Sequence, residues 1–197
     1  MDLIEHKALQ LANYFKLTNN LKKMEQEYIR AYECFCRLSI ILELGKYYFS
    51  IKQYDTMKSY YLMGIELYNS KECLNNLGLY YLHIKHDYDL MMYYFNQGVK
   101  LGSYDTYFYL GWYYQNIEYN FDLMEDHYLM AIRYGRVDAY NHLLDYYMDI
   151  HNQRLFKKLY NTCYEIGLRI KLNKGVLLRI IHNNYHTLIM NGDELLH

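Results

Sequence analysis

The sequence predicts an all-α fold: a right-handed α-solenoid of five two-helix repeats with a C-terminal capping helix. Three observations carry this reading. A leucine recurs at 11, 44, 77, 110 and 143, always 33 residues on, and self-similarity at such a period marks a stacked-repeat architecture. Behind the leucine comes a shared core, Leu44-Gly45-Lys46-Tyr47-Tyr48, then Leu77-Gly78-Leu79-Tyr80-Tyr81, then Leu110-Gly111-Trp112-Tyr113-Tyr114. The 197 residues contain no proline, the residue that most disrupts a helix interior.

The first helix of each repeat follows from that core. The leucine, its small neighbour and the aromatic four residues on share one helical face. Weaker copies flank the three clear ones, at Leu11-Ala12-Asn13-Tyr14-Phe15 and Leu143-Leu144-Asp145-Tyr146-Tyr147. The second helix has its own signature: Met24…Tyr28…Ala31, Met57…Tyr61…Gly64, Met91…Phe95…Gly98, Met124…Tyr128…Ala131 and Phe156…Tyr160…Cys163. Steps of four and three again place three side chains on one face.

Turn residues separate the two helices: Thr18-Asn19-Asn20, Lys52-Gln53, Lys85-His86-Asp87, Glu118-Tyr119-Asn120 and His151-Asn152-Gln153. Asn and Asp accept from the free N–H groups that open a helix. The loop is read as one residue longer in the copies starting at Leu77 and Leu110, and the copy starting at Leu44 regains its period near Asn69-Ser70. Gly102 and Gly135 follow second helices, where a left-handed residue ends the helix. Gly45, Gly78 and Gly111 lower helix propensity by roughly 1 kcal/mol each, so close approach of the partner helix is expected there. A Gly78→Leu change is expected to overpack that contact by about 1–3 kcal/mol. The array is read over residues 1–167. Residues 168–197 leave the pattern, and Val176 to Met190 reads as one closing helix of the kind that shields the end of a solenoid.

Composition removes several classes. Tyrosine accounts for 28 residues and aromatics for 18% of the chain, the opposite of a disordered composition. The 21 basic and 22 acidic residues nearly cancel, so no general nucleic-acid footprint shows. There is no apolar run long enough to span a membrane. The start, Met1-Asp2-Leu3-Ile4-Glu5-His6, is not that of a secretory signal. Four cysteines at 34, 36, 73 and 163 do not make a disulfide framework, and a reducing cytoplasm is the simplest setting.

Two antiparallel helices per 33 residues, with a Leu-small-x-x-aromatic first helix, resemble the tetratricopeptide superfamily. The Leu-Gly-x-Tyr-Tyr core, the run Asp87-Tyr88-Asp89-Leu90-Met91-Met92-Tyr93-Tyr94 and the glycine after the second helix resemble its Sel-one-like branch. The Met-x-x-Tyr-Tyr variant with short loops looks most like the Sel-one-like repeat proteins of large amoeba-infecting DNA viruses. The resemblance covers about residues 4–167. It departs from the branch in carrying Met24, Met57, Met91 and Met124 where alanine is usual. It implies a protein-interaction role, with host or viral partners and a place in the host cytoplasm.

No catalytic constellation is visible: the glycines are helix-packing residues, and no phosphate loop, nucleophile elbow or zinc-protease motif occurs. An enzyme is not expected, nor is a cofactor. Cys34 and Cys36 read as buried thiols on different helix faces, and His182 with His186, or His83 with His86, lack a further metal ligand. The tyrosine pairs read as core rungs (Tyr48, Tyr81, Tyr114, Tyr147) beside a second set (Tyr47, Tyr80, Tyr113, Tyr146).

The function expected is a non-catalytic protein-protein interaction scaffold that binds a protein or peptide in a concave groove. First helices line the inner side of a helix-pair solenoid, so positions two before and two after each leucine should face that groove. Two before are Leu9, Leu42, Asn75, Phe108 and Asn141; two after are Asn13, Lys46, Leu79, Trp112 and Asp145. Core positions repeat across copies, and these do not. Leu79, Phe108 and Trp112 form an apolar centre, with Asn75 and Asn141 as candidate peptide-backbone partners. Lys16 and Lys46 lie toward one end, with Asp138, Asp145 and Asp149 toward the other. The candidate site is Lys46, Asn75, Leu79, Phe108, Trp112, Asn141 and Asp145, anchored on the single tryptophan, since aromatic anchors dominate hot spots. Two alternatives stay open: an RNA-binding helical-repeat protein, which the neutral charge disfavours, and a self-associating structural protein. The partner and the oligomeric state are not legible in the sequence, and neither nucleic acid nor membrane is expected as a partner.

Overall fold

A computed structural model describes residues 3–18, 20–35 and 37–165. The predicted closing helix, and the His182 and His186 pair within it, lie outside the described residues. So do the side chains of Cys34, Cys36 and Cys163. The described residues form ten α-helices and no strand: α1 (Leu3–Leu17), α2 (Leu21–Phe35), α3 (Leu38–Ser50), α4 (Tyr54–Tyr68), α5 (Lys71–Tyr80), α6 (Tyr88–Lys100), α7 (Thr106–Tyr113), α8 (Phe121–Arg133), α9 (Asp138–Asp149) and α10 (Gln153–Glu165). They divide into two compact units at Thr106/Tyr107. In the first unit, α1 pairs with α2, α3 with α4 and α5 with α6, while α2 packs on α3 and α4 on α5. In the second, α8 packs on α9 and α9 on α10.

Each predicted face is buried where the period places it. Leu44, Leu77, Leu110 and Leu143 are all at most 2% exposed. Leu11 is the exception at 37%: α1 has α2 on one side, whereas α3 lies between α2 and α4. The second-helix faces built on Met24, Met57, Met91 and Met124, each with its aromatic and small residue, are buried throughout. Burying side chains of this size contributes roughly 1.5–3 kcal/mol each, which holds the helices of each unit together.

The close approach expected at the first-helix glycines is made by an aromatic ring. A Cβ at Gly45 would stand 2.2 Å from the Tyr61 ring, one at Gly78 2.3 Å from Phe95, and one at Gly111 2.7 Å from Tyr128. The ring lies in the notch that the missing Cβ leaves, so the glycine and the ring form one packing unit.

The longer turns expected after Leu77 and Leu110 are not longer loops. The extra residue is taken into the end of the first helix as a π-helical turn, Tyr81–Lys85 after α5 and Tyr114–Glu118 after α7. Such a turn accommodates one inserted residue without breaking the helix. The residue that reverses the chain then shifts by one place. Lys52, His86, Tyr119 and His151 hold the same left-handed position in four repeats, with φ of 61°, 54°, 57° and 55°, at a cost of roughly 1–2 kcal/mol each. Asp87, Asn120 and Asn152 cap the helices that follow by accepting from Leu90, Leu123 and Leu155 N–H groups at 3.0, 3.1 and 3.1 Å. Gly102 and Gly135 take the predicted left-handed conformation at 79° and 88°. Asn69 does the same after α4 at 48°, and that is where the Leu44 copy regains its period.

One tyrosine rung is exchanged. Tyr48, Tyr114 and Tyr147 are buried as expected, but in the Leu77 repeat it is Tyr80 that is buried, at 1% exposure, and Tyr81 only in part. Tyr54 at the start of α4 lies 5.3 Å from the Tyr80 ring and covers it. Tyr81 keeps the rung's stacking partner: it lies 5.5 Å from Tyr94, nearly parallel, as Tyr48 lies 5.5 Å from Tyr60.

Candidate partner-binding residues

In the first unit, the predicted site residues are Lys46, Asn75 and Leu79. Lys46 is exposed, but its ammonium is already paired with Glu43 Oε1 at 2.9 Å. Glu43 is shared, since Lys16 Nζ lies 2.8 Å from its other oxygen. Burial pushes the Glu43 carboxyl up; the hydrogen bonds and charges of Lys16 and Lys46 outweigh it and hold it below the usual carboxylate range. The two lysines expected at one end of the groove therefore act as a clasp on one carboxylate. Asn75, on α5, is half-buried, and its amide oxygen is buried with no hydrogen-bond partner. Leu79 is half-buried.

In the second unit, the predicted residues are Phe108, Trp112, Asn141 and Asp145. Phe108 belongs to a packed cluster. Its ring stands edge-on to His142 at 5.3 Å, tilted against Tyr128 at 5.7 Å, and under the Arg136 guanidinium at 4.9 Å. A cation over an aromatic face is attractive, and Arg136 Nε also lies 3.4 Å from Asp138 Oδ2. Trp112 is half-buried, and its carbonyl accepts from Asn116 Nδ2 at 2.8 Å. Asn141, on α9, repeats the Asn75 situation: half-buried, with a buried amide oxygen that has no hydrogen-bond partner. Asp145 is half-buried. Buried polar atoms nearly always find a partner, so two orphaned oxygens at one register position are a chemical feature of the first helices.

Sequence reasoning missed Gln115 and His142. The His142 ring stacks on Tyr128 at 4.9 Å, and its Nδ1 lies 3.0 Å from Gln115 Oε1. The same oxygen accepts from the Tyr128 hydroxyl at 2.8 Å. Burial pushes the imidazole below its usual range, opposed by the charge of Asp138. A signal for it existed. His142 precedes its repeat leucine as Glu43 does, and Gln115 follows its leucine by five as Lys16 does. Both pairs are therefore 27 residues apart. The tyrosine rungs make a second link of this kind. Tyr48 donates to Glu25 Oε1 at 2.5 Å and Tyr147 to Glu125 Oε1 at 2.6 Å.

Among the described residues no group of three or more His, Cys, Asp or Glu side chains could hold a metal ion. No described helix is long and apolar enough to cross a membrane. The fold is similar to that in the crystal structure of MamA protein, a tetratricopeptide-like helical-repeat protein. The match covers 100% of both chains at a TM-score of 0.56 and 16% identity. That likeness shows the fold alone. No family model matches the chain, and no curated protein matches it in sequence.

Proposed function

We propose that the chain is a non-catalytic protein-interaction scaffold that takes a peptide or protein partner on the first-helix surface of each unit. One observation carries this reading. Positions that build the core repeat in kind from one copy to the next, while those two before and two after the leucine range over apolar, amide and charged residues. Scaffold positions are held to one packing role, and recognition positions are free to diversify. Asn75 and Asn141 add a chemical reason. Each brings an unspent acceptor to the same register, and leaving such a group unpaired costs about 1–3 kcal/mol. A partner that supplied a donor, directly or through water, would recover that cost.

Lys46 is paired with Glu43 and Phe108 is packed within its own unit, and Asn75 and Asn141, with their unspent acceptors, are the residues to test first. The finer reading is a Sel-one-like repeat protein of viral origin working in a host cytoplasm. It is supported by the Leu-Gly-x-Tyr-Tyr core and the Met-x-x-Tyr-Tyr second helix.

Affinity capture from a cell extract, with Asn75→Ala and Asn141→Ala beside the parent chain, tests the proposal. Removing an orphaned acceptor should leave the melting temperature unchanged or slightly raised. Loss of the captured protein in a variant that melts like the parent supports recognition by these residues. Full capture by both variants, with Trp112→Ala harming only the fold, sinks it.

A further inference from the structure

Five tyrosines of the first unit form an unbroken chain of ring contacts that passes through the interior at Tyr80 and reaches the surface at Tyr93. Tyr54 lies 5.3 Å from Tyr80, Tyr80 5.1 Å from Tyr81, Tyr81 5.5 Å from Tyr94, and Tyr94 5.2 Å from Tyr93. The chain crosses α4, α5, the π-helical turn and α6. Its inner member, Tyr80, is 1% exposed, and its hydroxyl is buried without a hydrogen-bond partner. Its outer member, Tyr93, is 56% exposed.

Phenol rings in contact can pass a one-electron vacancy from one to the next. A phenol that loses an electron must also lose its proton, so the vacancy settles where a proton acceptor is available. Tyr80 offers no acceptor, whereas Tyr93 has water.

We propose that this chain is a one-electron redox path whose end point is Tyr93, making Tyr93 a site of oxidative dityrosine coupling between copies of the protein. The oxidant is a one-electron acceptor of the high-valent metal class. Each of two phenols gives one electron to one oxidant and one proton to water. The two phenoxyl radicals join through their ortho carbons, and the coupled rings regain aromaticity by moving the ring hydrogens to oxygen. Two tyrosines and two oxidised acceptors therefore become one dityrosine, two protons and two reduced acceptors.

Tyr119 is the internal control. It is 67% exposed, more than Tyr93, and stands outside this chain. The full-length protein is irradiated briefly with a ruthenium tris-bipyridine photosensitiser and persulfate. Dityrosine is read by its fluorescence and placed by peptide mass spectrometry. Coupling at Tyr93 should exceed coupling at Tyr119 several-fold. Tyr93→Phe should remove most of the coupled product. Tyr81→Phe should lower coupling at Tyr93 several-fold, because phenylalanine is far harder to oxidise and interrupts the path without changing the Tyr93 surface. Tyr94→Phe interrupts the same path at the next ring and serves if Tyr81→Phe does not fold. Coupling that follows exposure, with Tyr119 ahead of Tyr93, overturns the proposal. So does coupling at Tyr93 that is unchanged by a folded interrupted chain.

Discussion

Two junctions between repeats, one in each unit, use the same register positions and different chemistry. Between the first and second repeats, the residue before the leucine is Glu43 and its partner is Lys16, at 2.8 Å. Between the fourth and fifth, it is His142 and the partner is Gln115, at 3.0 Å. Both junctions are backed by a rung tyrosine donating to a glutamate of the preceding second helix. The geometry thus belongs to the repeat and the chemistry to the particular copy. Lys16 and Glu43 side chains are 54% and 28% exposed, and an ion pair that wet is worth little. His142 stacks on Tyr128 with Phe108 edge-on to it, so its protonation state matters to packing.

The largest expected effect tests the packing inside a repeat, where a glycine faces an aromatic ring in both units. Gly45→Ala and Gly111→Ala each push a methyl into a ring, and overpacking of this kind costs about 1–3 kcal/mol, against roughly 1 kcal/mol regained in helix propensity. Gly45→Ala should lose more, because the methyl would stand 2.2 Å from its ring against 2.7 Å at Gly111. Urea denaturation reads both. No loss in either variant would show that the ring and glycine are not one packing unit.

An intermediate effect separates the junctions by pH. Burial lowers the His142 pKa, so the unfolded chain binds that proton more tightly than the folded one. The stability gained by keeping His142 neutral is therefore complete above its ordinary pKa of about 6.5. It is lost as pH falls through the lower folded value. Glu43 is also lowered, and its contribution persists down to the carboxylate range near about 4.3. Mild acid should therefore weaken the His142 junction before the Glu43 junction. Trp112, the only tryptophan, reports the second unit by its fluorescence, and His142→Gln should flatten the response. A Trp112 signal that is level down to the carboxylate range would contradict the assignment.

The smallest effect is at the charged clasp. Lys16→Met should cost no more than about 1 kcal/mol and should make the melting temperature less sensitive to salt. A loss well beyond that would mean the pair is drier than its exposure indicates.

Much of this architecture is legible in the sequence. The 33-residue leucine period, the four-and-three spacing of the second helices and the capping residues each have local causes, and the buried faces follow from the 3.6-residue turn. What was not legible depends on which side chains and helices stand beside each element. Tyr80 is buried instead of Tyr81 because Tyr54 of the preceding repeat covers it. The inserted residue became a π-helical turn because keeping the helix paired with α6 or α8 costs less than ending it early. Lys46 and Phe108 were read as groove residues from register alone. Register says which way a side chain points and not what is already there to meet it, here Glu43 for one and Arg136 with His142 for the other.

The sequence by itself determined that this chain is a row of helix pairs and which face of each helix is buried. Periodicity is a property of the chain, and the hydrophobic effect acts on it helix by helix. Only the tertiary structure decided which polar groups are spent and which remain. The carboxylate of Glu43 and the imidazole of His142 found partners 27 residues away, while the amide oxygens of Asn75 and Asn141 found none. Hydrogen bonds need a partner within about 3 Å and in line, and no one-dimensional pattern contains that condition.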